Sequence, residues 1–382
     1  MESARFVRQL GRGGFGTVDL VEVATPSGGS VCVARKTLNT KGKDAGQMED
    51  ALLREVYGGV AAARRSPFAP AVVGMTTGQE GQCIFTEFAD GGSLWEVLKG
   101  RARSSSRSSK RSKAKQPQEQ LALPLSELRK IAFSVLHALR AMNAKGYAHL
   151  DVKPENVLIS GSMYLLTDFG TATELGEEGK VLDVCGTALF IAPEQFGSGF
   201  CRTSADCYSL GVTMAECAAW PADRVSLWEF TKGVRVLPNC VPTDLRDFIA
   251  LLMERDPARR PSPTEALRLP FLAGLQLNGT VRQLLWKHRK RLPNAEEGDN
   301  YFPPLRICWA LTPAGLAFRR ANHDLVKYLA NSGRRPSWCG THLMAEESKD
   351  SGKWMRQDID RVRADMEAAR QEASQQRDDA DD

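Results

Sequence analysis

The most specific stretch of this sequence reads His149-Leu150-Asp151-Val152-Lys153-Pro154-Glu155-Asn156. Asp168-Phe169-Gly170 follows it, after apolar segments at residues 157–159 and 164–166 that predict a β-hairpin. An isolated aspartate is typical of a turn or a helix cap. Here two aspartates, a lysine and an asparagine occur close together, and this combination favours a functional site over an ordinary turn.

Towards the N-terminus, a glycine-rich stretch reads Leu10-Gly11-Arg12-Gly13-Gly14-Phe15-Gly16-Thr17-Val18. Apolar segments at residues 6–10 and 18–23 flank it and predict a hairpin bent over a ligand. Glycines allow backbone amides to approach phosphate oxygens without obstruction by side chains. A dinucleotide-binding fingerprint would need a helix directly after the glycines, whereas residues 31–36 have the pattern of a strand. An ordinary glycine turn is the other reading of this stretch.

Two charged residues lie between these motifs. Lys36 ends the apolar run 31–36, and Glu55 lies in the helix-compatible segment 48–60. That segment places Leu52, Leu53, Val56 and Val60 on one inward face. Taken alone, both residues would be ordinary surface charges.

In this order, and together with Ala192-Pro193-Glu194, the motifs resemble those of a eukaryotic protein kinase. The resemblance implies an α+β, bilobal fold in a kinase domain over residues 5–272. A small, mostly β N-lobe would cover about residues 5–88, and a larger, mostly α C-lobe about residues 92–272. The activity implied is that of an ATP-dependent serine/threonine-protein kinase, a transferase that moves the γ-phosphoryl group of ATP to protein hydroxyls.

The resemblance also implies roles for individual residues. Asp151 would act as the catalytic base towards the substrate hydroxyl, and Lys153 would neutralise charge on the transferring phosphoryl group. Lys36, held by Glu55, would contact the α and β phosphates. Asn156 and Asp168 would bind Mg²⁺, which takes hard oxygen ligands and substrate phosphates.

For ATP, the resemblance implies a larger set of contacts around the adenine and the phosphates. Residues 83–88 read as a buried strand that runs into the hinge, where backbone groups would bind adenine, and Thr86 would leave the pocket behind adenine open. The nucleotide-binding residues implied are Leu10, Gly11, Gly13, Gly16, Val18, Ala34, Lys36, Glu87, Asn156 and Asp168.

Further matches suggest supporting roles. Lys153 with Thr187 is typical of serine/threonine kinases, Glu194 and Arg260 resemble a buried ion pair, and Asp206 resembles the residue that anchors the catalytic loop. His149 is predicted to pack rather than to transfer protons. Leu150 stands where many kinases have an arginine that binds a phosphate on the activation segment, so activity is predicted to depend weakly on phosphorylation there.

Some stretches are similar to the Wee and Myt group, which places inhibitory phosphates on cyclin-dependent kinases. They include residues 54–57, Gly91-Gly92-Ser93-Leu94, the order His-Leu-Asp-Val-Lys-Pro and Trp228 before Gly233. Glu155, Val157-Leu158 and residues 186–189 depart from that group. A Wee/Myt-like kinase acting on tyrosine or threonine is therefore one alternative. A catalytically weak pseudokinase scaffold is another, since Gly59 stands where a bulky apolar residue is usual.

Composition is compatible with one kinase domain plus additional segments. The chain has 382 residues, 42% of them hydrophobic, nine cysteines and a net charge of +5. The cysteines form no Cys-x-x-Cys pair and no secretory signal is apparent, so a cytoplasmic or nuclear location is expected. No apolar run is long enough to span a membrane.

The excess of positive charge comes from residues 101–115, which contain seven basic residues, six serines and no acidic residue. This composition predicts a disordered, basic, serine-rich insertion over about residues 101–118. A nuclear-import patch, an anionic-partner site and a target of other kinases are functional alternatives, and no specific nucleic-acid partner is predicted.

The C-terminal third is less informative. Residues 273–345 are predicted to form an appendage of unknown function. Apolar residues in the last segment repeat at the spacing of a coiled-coil seam: Met355, Ile359, Val362, Met366, Ala369 and Ala373. About three heptads are short for a coiled coil, so residues 346–382 are predicted to form a charged helix or a disordered tail. A C-terminal helical extension could bind a regulatory or scaffold protein, in addition to the protein substrate.

Overall fold

The computed structural model describes residues 4–275, except residues 14–15, 25–29, 40–44, 79–80, 110–119, 176–179, 182–185 and 198–200. The first part is an antiparallel five-stranded sheet in the order β1-β2-β3-β5-β4. Its strands are β1 (Ala4–Gly13), β2 (Gly16–Ala24), β3 (Ser30–Leu38), β4 (Val72–Gly78) and β5 (Gly81–Glu87). Gly13 pairs with Gly16 across the β1–β2 turn, so the glycine-rich stretch does form the predicted hairpin.

Helix α1 (Ala45–Arg65) connects β3 to β4 and packs on the sheet. Its apolar residues Leu52 and Val56 contact Leu38 of β3 and Ile84 of β5. Leu52 and Val56 of the inward face predicted for residues 48–60 therefore do pack inward, within a helix that extends further at both ends, whereas the side chain of Leu53 lies outside the described residues.

The second part is mostly helical. Its helices are α2 (Leu94–Ser109), α3 (Leu125–Asn143), α4 (Pro193–Gly197), α5 (Ala205–Ala219), α6 (Arg224–Thr231), α7 (Thr243–Leu252) and α8 (Pro263–Ala266). Short strand pairs join β6 (Tyr147–Ala148) to β9 (Thr173–Glu174), β7 (Val157–Ser160) to β8 (Met163–Leu166), and β10 (Lys180–Val181) to β11 (Cys201–Arg202). Single 3-10 turns cover Pro154–Asn156 and Pro270–Leu272. A β sheet followed by a helical lobe confirms the predicted α+β, bilobal architecture.

Helix α5 is the centre of the helical lobe. All of its residues from Ala205 to Ala218 are buried, as expected for a helix covered on every side. Helix α3 lies against it with one apolar face, which includes Leu128, Ile131, Val135 and Leu139. This core supports the loop between β6 and β7, which carries residues 149–156.

The prediction of disorder is wrong for residues 101–109, because helix α2 continues through Ser109. The side chains of Leu94 and Leu98 are buried, so the first turns of α2 are packed against the rest of the lobe. Extending an existing helix into residues 101–109 costs much less free energy than starting a new helix. Arginine and alanine in this stretch also favour helix. Residues 110–118 of the insertion, nearly all of the appendage over 273–345 and all of the extension over 346–382 lie outside the described residues.

Candidate active site

The centre of the candidate site is an ion-pair cluster that joins β3, α1 and the segment after β8. The ammonium of Lys36 lies 2.5 Å from Oε2 of Glu55 and 2.6 Å from Oδ1 of Asp168. The Glu55 carboxylate also accepts a hydrogen bond from the Phe169 amide, at 3.2 Å. The cluster therefore ties the sheet and helix α1 to the Asp168-Phe169-Gly170 motif.

Burial and charge oppose each other in this cluster. Burial disfavours the ammonium of Lys36, but Glu55 and Asp168 outweigh burial and raise its pKa. Burial likewise disfavours the Asp168 carboxylate, but the charge and hydrogen bond of Lys36 outweigh it and lower the pKa of Asp168. For Glu55, burial together with the nearby Asp168 raises the pKa. Lys36 is thus a cation, and Asp168 an anion, throughout the neutral pH range.

The loop before Asp151 has an unusual backbone, which Asp206 holds in place. Leu150 has a φ of 65°, in the left-handed region that residues with a Cβ normally avoid. The carboxylate of Asp206, in the first turn of α5, accepts the amides of His149 at 2.8 Å and Leu150 at 2.7 Å. Asp206 thereby anchors the loop to the central helix, as the sequence predicts.

Asp151 is held by four donors and is only 2% exposed. Its Oδ1 accepts the amide and the hydroxyl of Thr187, at 2.9 and 2.8 Å. Its Oδ2 accepts the ammonium of Lys153 at 2.6 Å and the side-chain amide of Asn156 at 3.0 Å. Lys153 also donates to the Thr187 hydroxyl at 2.7 Å. The structure therefore brings Asp151, Lys153, Asn156 and Thr187 together, although Thr187 is 36 residues from Asp151 in sequence.

The oxygen atoms of Asn156 and Asp168 fit the requirements of a magnesium ion. Asn156 uses its Nδ2 to donate to the backbone and side chain of Asp151, which leaves Oδ1 as a ligand atom. Oδ1 of Asp168 accepts a hydrogen bond from Lys36, whereas Oδ2 accepts none from the residues that the structure describes. Among the residues that the structure describes, no group of three or more His, Cys, Asp or Glu side chains is placed to hold a metal. In typical magnesium sites, one or two side chains of the protein bind the ion, and phosphate oxygens and water complete its coordination.

Three of the predicted nucleotide-binding residues, Val18, Ala34 and Lys36, lie on one face of the sheet. Val18 pairs with Lys36 across β2 and β3, and Ala34 pairs with Thr86 across β3 and β5. Because side chains alternate along a strand, Ala34 and Lys36 share a face. Leu10, Gly11 and Gly13 lie at the end of β1. Gly16 begins β2 with a φ of 149°, and a Cβ there would collide with the Thr37 carbonyl.

Glu87 is the exception among these predicted residues. It pairs with Val33, so its side chain points to the face opposite Ala34 and Lys36. There it is buried, and its carboxylate accepts a hydrogen bond from the Ala71 amide at 3.2 Å. The side chain of Glu87 therefore lies outside the site, and any contact with adenine would have to come from its backbone.

His149 has the structural role that the sequence predicts. Its Nδ1 accepts the Asp151 amide at 3.2 Å, so Nε2 carries the proton and donates to the Thr167 carbonyl at 3.1 Å. The imidazole also packs against the Phe169 ring, with 5.3 Å between centroids. Both nitrogens are occupied by backbone groups.

The predicted ion pair between Glu194 and Arg260 is also present. The guanidinium of Arg260 makes two hydrogen bonds to the Glu194 carboxylate, at 2.6 and 2.9 Å. The Arg260 side chain is fully buried and that of Glu194 is 9% exposed. The pair fixes α4, and with it the end of the segment that begins at Asp168, to the helical lobe.

One cluster near the site could not be found in the sequence. Arg224, the first residue of α6, lies between the carboxylates of Glu155 and Glu216 and between the rings of Trp95 and Phe190. These residues come from five separate segments, and Arg224 forms no recognisable motif with any of them.

Comparison with known proteins identifies a family that matches most of the chain. The protein kinase domain family matches residues 4–272. Serine/threonine-protein kinase unc-51 of Caenorhabditis elegans is 27% identical over 229 residues, which cover 55% of this chain and 24% of the relative. Testis-specific serine/threonine-protein kinase 3 of Homo sapiens is 30% identical over 202 residues, covering 50% of this chain and 68% of the relative.

A Wee1-like protein kinase of Oryza sativa subsp. japonica is 31% identical over 154 residues, which cover 39% of this chain and 29% of the relative. The match thus spans less than a third of the nematode and rice relatives. The match to the family, in contrast, covers both the sheet and the helical lobe. This chain therefore belongs to the protein kinase domain family.

Proposed function

We propose that this chain is an active protein kinase that uses ATP and Mg²⁺ and phosphorylates serine or threonine hydroxyls of proteins. The observation that carries the proposal is the pairing of two networks. One joins Lys36 to Glu55 and Asp168, and the other joins Asp151 to Lys153, Asn156 and Thr187. A phosphoryl transfer needs groups that hold phosphates and groups that position the acceptor hydroxyl, and the two networks supply both.

In this proposal the first network holds the nucleotide. Lys36 contacts the phosphates, and Glu55 keeps its ammonium in position. Asn156 and Asp168 would hold Mg²⁺, which when bound offsets the negative charge that develops on the phosphates. Val18, Ala34 and the glycine-rich hairpin would enclose the nucleotide.

The second network handles the acceptor. The Asp151 carboxylate takes or orients the proton of the substrate hydroxyl. Lys153, which contacts Asp151, would offset negative charge on the phosphoryl group as it is transferred. Thr187 contacts both Asp151 and Lys153. The combination of Lys153 with Thr187 resembles serine/threonine kinases and supports serine and threonine as the acceptors.

A Wee-like activity on tyrosine or threonine of cyclin-dependent kinases is the second candidate, favoured by the similarity to the rice kinase. A silent scaffold is disfavoured, because each of the groups needed for transfer is present and in contact. Binding of a regulatory or scaffold protein by residues 346–382 remains a separate proposal.

We also propose a cytoplasmic or nuclear location. The described cysteines Cys32, Cys83, Cys207, Cys217 and Cys240 are all free thiols, as is usual in reducing compartments. Among the described helices, none is long and apolar enough to cross a bilayer.

The test is transfer of radiolabelled phosphate from ATP to a degenerate peptide library. We expect Asp151→Asn to lower the rate at least about a hundredfold, because it removes general-base chemistry. Asp247→Asn, at an exposed position of α7, is the matched control and should behave as wild type. Equal labelling by wild type and Asp151→Asn would reject the proposal, and tyrosine as the sole acceptor would replace it with the Wee-like alternative.

A further inference from the structure

The residue directly after Asp168-Phe169-Gly170 turns its side chain back towards the loop over residues 149–156. Thr171 is only 7% exposed, and its Oγ1 donates a hydrogen bond to the backbone carbonyl of His149 at 2.8 Å. His149 is fully buried and lies 22 residues earlier in the chain. The Thr171 hydroxyl therefore joins the segment that carries Asp168 to the loop that carries Asp151.

His149 makes a second contact with the same segment. Its Nε2 donates to the backbone carbonyl of Thr167 at 3.1 Å. Thr167 directly precedes Asp168-Phe169-Gly170, and Thr171 directly follows it. Two hydrogen bonds to one histidine therefore hold the chain at both ends of the three-residue motif.

The backbone inside this motif needs such support. Asp168 has a φ of 63°, in the left-handed region that residues with a Cβ normally avoid, and Leu150, next to His149, has a φ of 65°. Backbone of this kind persists only where the surrounding structure holds it. At Leu150 the support comes from Asp206. At Asp168 it comes from Lys36, which binds the carboxylate, and from the hydrogen bonds on either side of the motif.

A second threonine in the segment offers a matched comparison. Thr173 of β9 is 8% exposed, and its Oγ1 donates to the backbone carbonyl of Thr171 at 3.1 Å. This hydrogen bond stays within the segment after Asp168-Phe169-Gly170. The two hydroxyls are thus similarly buried, but the hydroxyl of Thr171 connects the segment to the loop over residues 149–156, whereas that of Thr173 connects the segment to itself.

We propose that Thr171 is a positioning residue for phosphoryl transfer and acts through Asp168. Its hydroxyl holds the left-handed backbone of Asp168, and thereby keeps the Asp168 carboxylate beside Lys36, where it would bind Mg²⁺. Without the hydroxyl, the backbone at Asp168 can relax and the carboxylate moves away from Lys36. The inference rests on the proposed kinase function.

Conservative substitutions separate the hydroxyl of Thr171 from the shape of its side chain. Valine keeps the β-branched shape but cannot donate a hydrogen bond, so Thr171→Val takes this donor away from the buried carbonyl of His149. Serine keeps the hydroxyl, so Thr171→Ser should keep the hydrogen bond. Thr173→Val is the control, because it removes a similarly buried hydroxyl. If Thr171 served stability alone, the two valine variants would behave alike.

The first test measures kcat and KM with a peptide substrate. Thr171→Val should lower kcat at least about tenfold, because a small misplacement of a reacting group is costly, and should leave the KM of the peptide within about threefold of wild type. Thr171→Ser and Thr173→Val should keep kcat within about threefold of wild type. If either of these two variants lost as much kcat as Thr171→Val, the proposal would be overturned. Should Thr171→Val fail to fold, Thr171→Ala takes its place in the same comparison.

The second test does not depend on phosphoryl transfer. ATP with Mg²⁺ should raise the melting temperature of wild type more than ATP with EDTA does, because Asp168 is in place to hold the ion. Thr171→Val should lose most of this Mg²⁺-dependent difference, whereas Thr171→Ser and Thr173→Val should keep it. Equal differences in all four proteins would reject the proposal. If the differences follow this expectation while wild type transfers no phosphate, the proposed kinase activity fails and the positioning role of Thr171 stands.

Discussion

Position 150 combines a strained backbone with an apolar side chain. A left-handed conformation costs a residue with a Cβ about 1–2 kcal/mol, and Asp206 offsets this cost through two charge-assisted hydrogen bonds. The Leu150 side chain meanwhile packs into the core of the helical lobe. Position 150 therefore supplies no cation that could bind a phosphate.

This absence leads to a prediction about regulation. Turnover should rise much less than about a hundredfold when the activation segment is phosphorylated, because a new phosphate finds no guanidinium at position 150 to order the segment. The measurement compares kcat of phosphatase-treated and segment-phosphorylated protein. An increase of about a hundredfold or more would show that another cation replaces the missing arginine.

Contacts between residues could be predicted where the residues belong to motifs with fixed order. Lys36, Asp151, Asn156 and Asp168 fall into this class, and the structure joins Lys36 to Asp168 and Asp151 to Asn156. The side-chain direction of Glu87 was not predictable from its motif, because it depends on the register between β3 and β5. Arg224 was missed for a related reason, since its partners come together only when α2 and α5 pack against the segments that carry Glu155 and Phe190.

At the scale of elements, helix α1 turns two glycines, Gly58 and Gly59, towards the Phe169 side chain. A Cβ added to Gly58 would lie 2.6 Å from the Ala172 Cβ and 2.8 Å from the Phe169 Cβ. A Cβ on Gly59 would lie 3.3 Å from the Phe169 ring. The glycine at position 59 thus does not leave a gap, because the Phe169 ring fills the space.

Replacing a glycine by alanine should therefore change the stability of the fold in opposite directions in α1 and in α2. Gly58→Ala should destabilise the fold by about 1–3 kcal/mol through overpacking, despite the gain of about 1 kcal/mol in helix propensity. Gly100→Ala is the matched control, since a Cβ there meets nothing within 4 Å, and it should stabilise the fold. Urea unfolding measures both changes. A neutral Gly58→Ala would mean that α1 and Phe169 pack less closely than described.

The ion pair that fixes α4 gives a second prediction for elements. Glu194→Ala should cost about 3–5 kcal/mol of unfolding free energy, because it leaves the buried guanidinium of Arg260 without its partner. Glu229→Ala removes the partner of Arg235, which is 46% exposed, and should cost about 1 kcal/mol or less. Equal losses for the two variants in chemical denaturation would contradict a buried role for Glu194.

Helix α2 shows that the composition of a segment does not by itself decide whether the segment is helical. A basic, serine-rich segment has no apolar face of its own, so its sequence favours disorder. Its first nine residues are helical because they extend a helix whose beginning is already packed. The residues that decide this outcome, Leu94 and Leu98, lie outside the basic segment.

At the scale of the whole molecule, the buried Glu216 couples folding to pH. The folded pKa of about 8 exceeds the ordinary value of 4.5, so between these values the native state holds a proton that the unfolded chain has released. Stability contributed by this group therefore falls as the pH rises from about 5 to about 8, by at most about 1.4 kcal/mol per pH unit. The charges facing Glu216 are Arg224, Glu155 and Asp223.

This coupling can be measured by chemical unfolding as a function of pH. Wild type should lose stability relative to Glu216→Gln as the pH rises from about 5 to about 8, because glutamine cannot release a proton. Above the folded pKa the two curves should run parallel. A constant difference across the whole range would show that Glu216 is already ionised at the lower pH.

The raised pKa of Lys36 also bears on covalent inhibition. An amine attacks acylating or sulfonylating reagents only in its neutral form, and a nucleophilic lysine usually owes its reactivity to a lowered pKa. Lys36, clamped between Glu55 and Asp168, has the opposite electrostatic setting. Electrophiles aimed at this lysine would have to displace one of the two carboxylates before a bond could form.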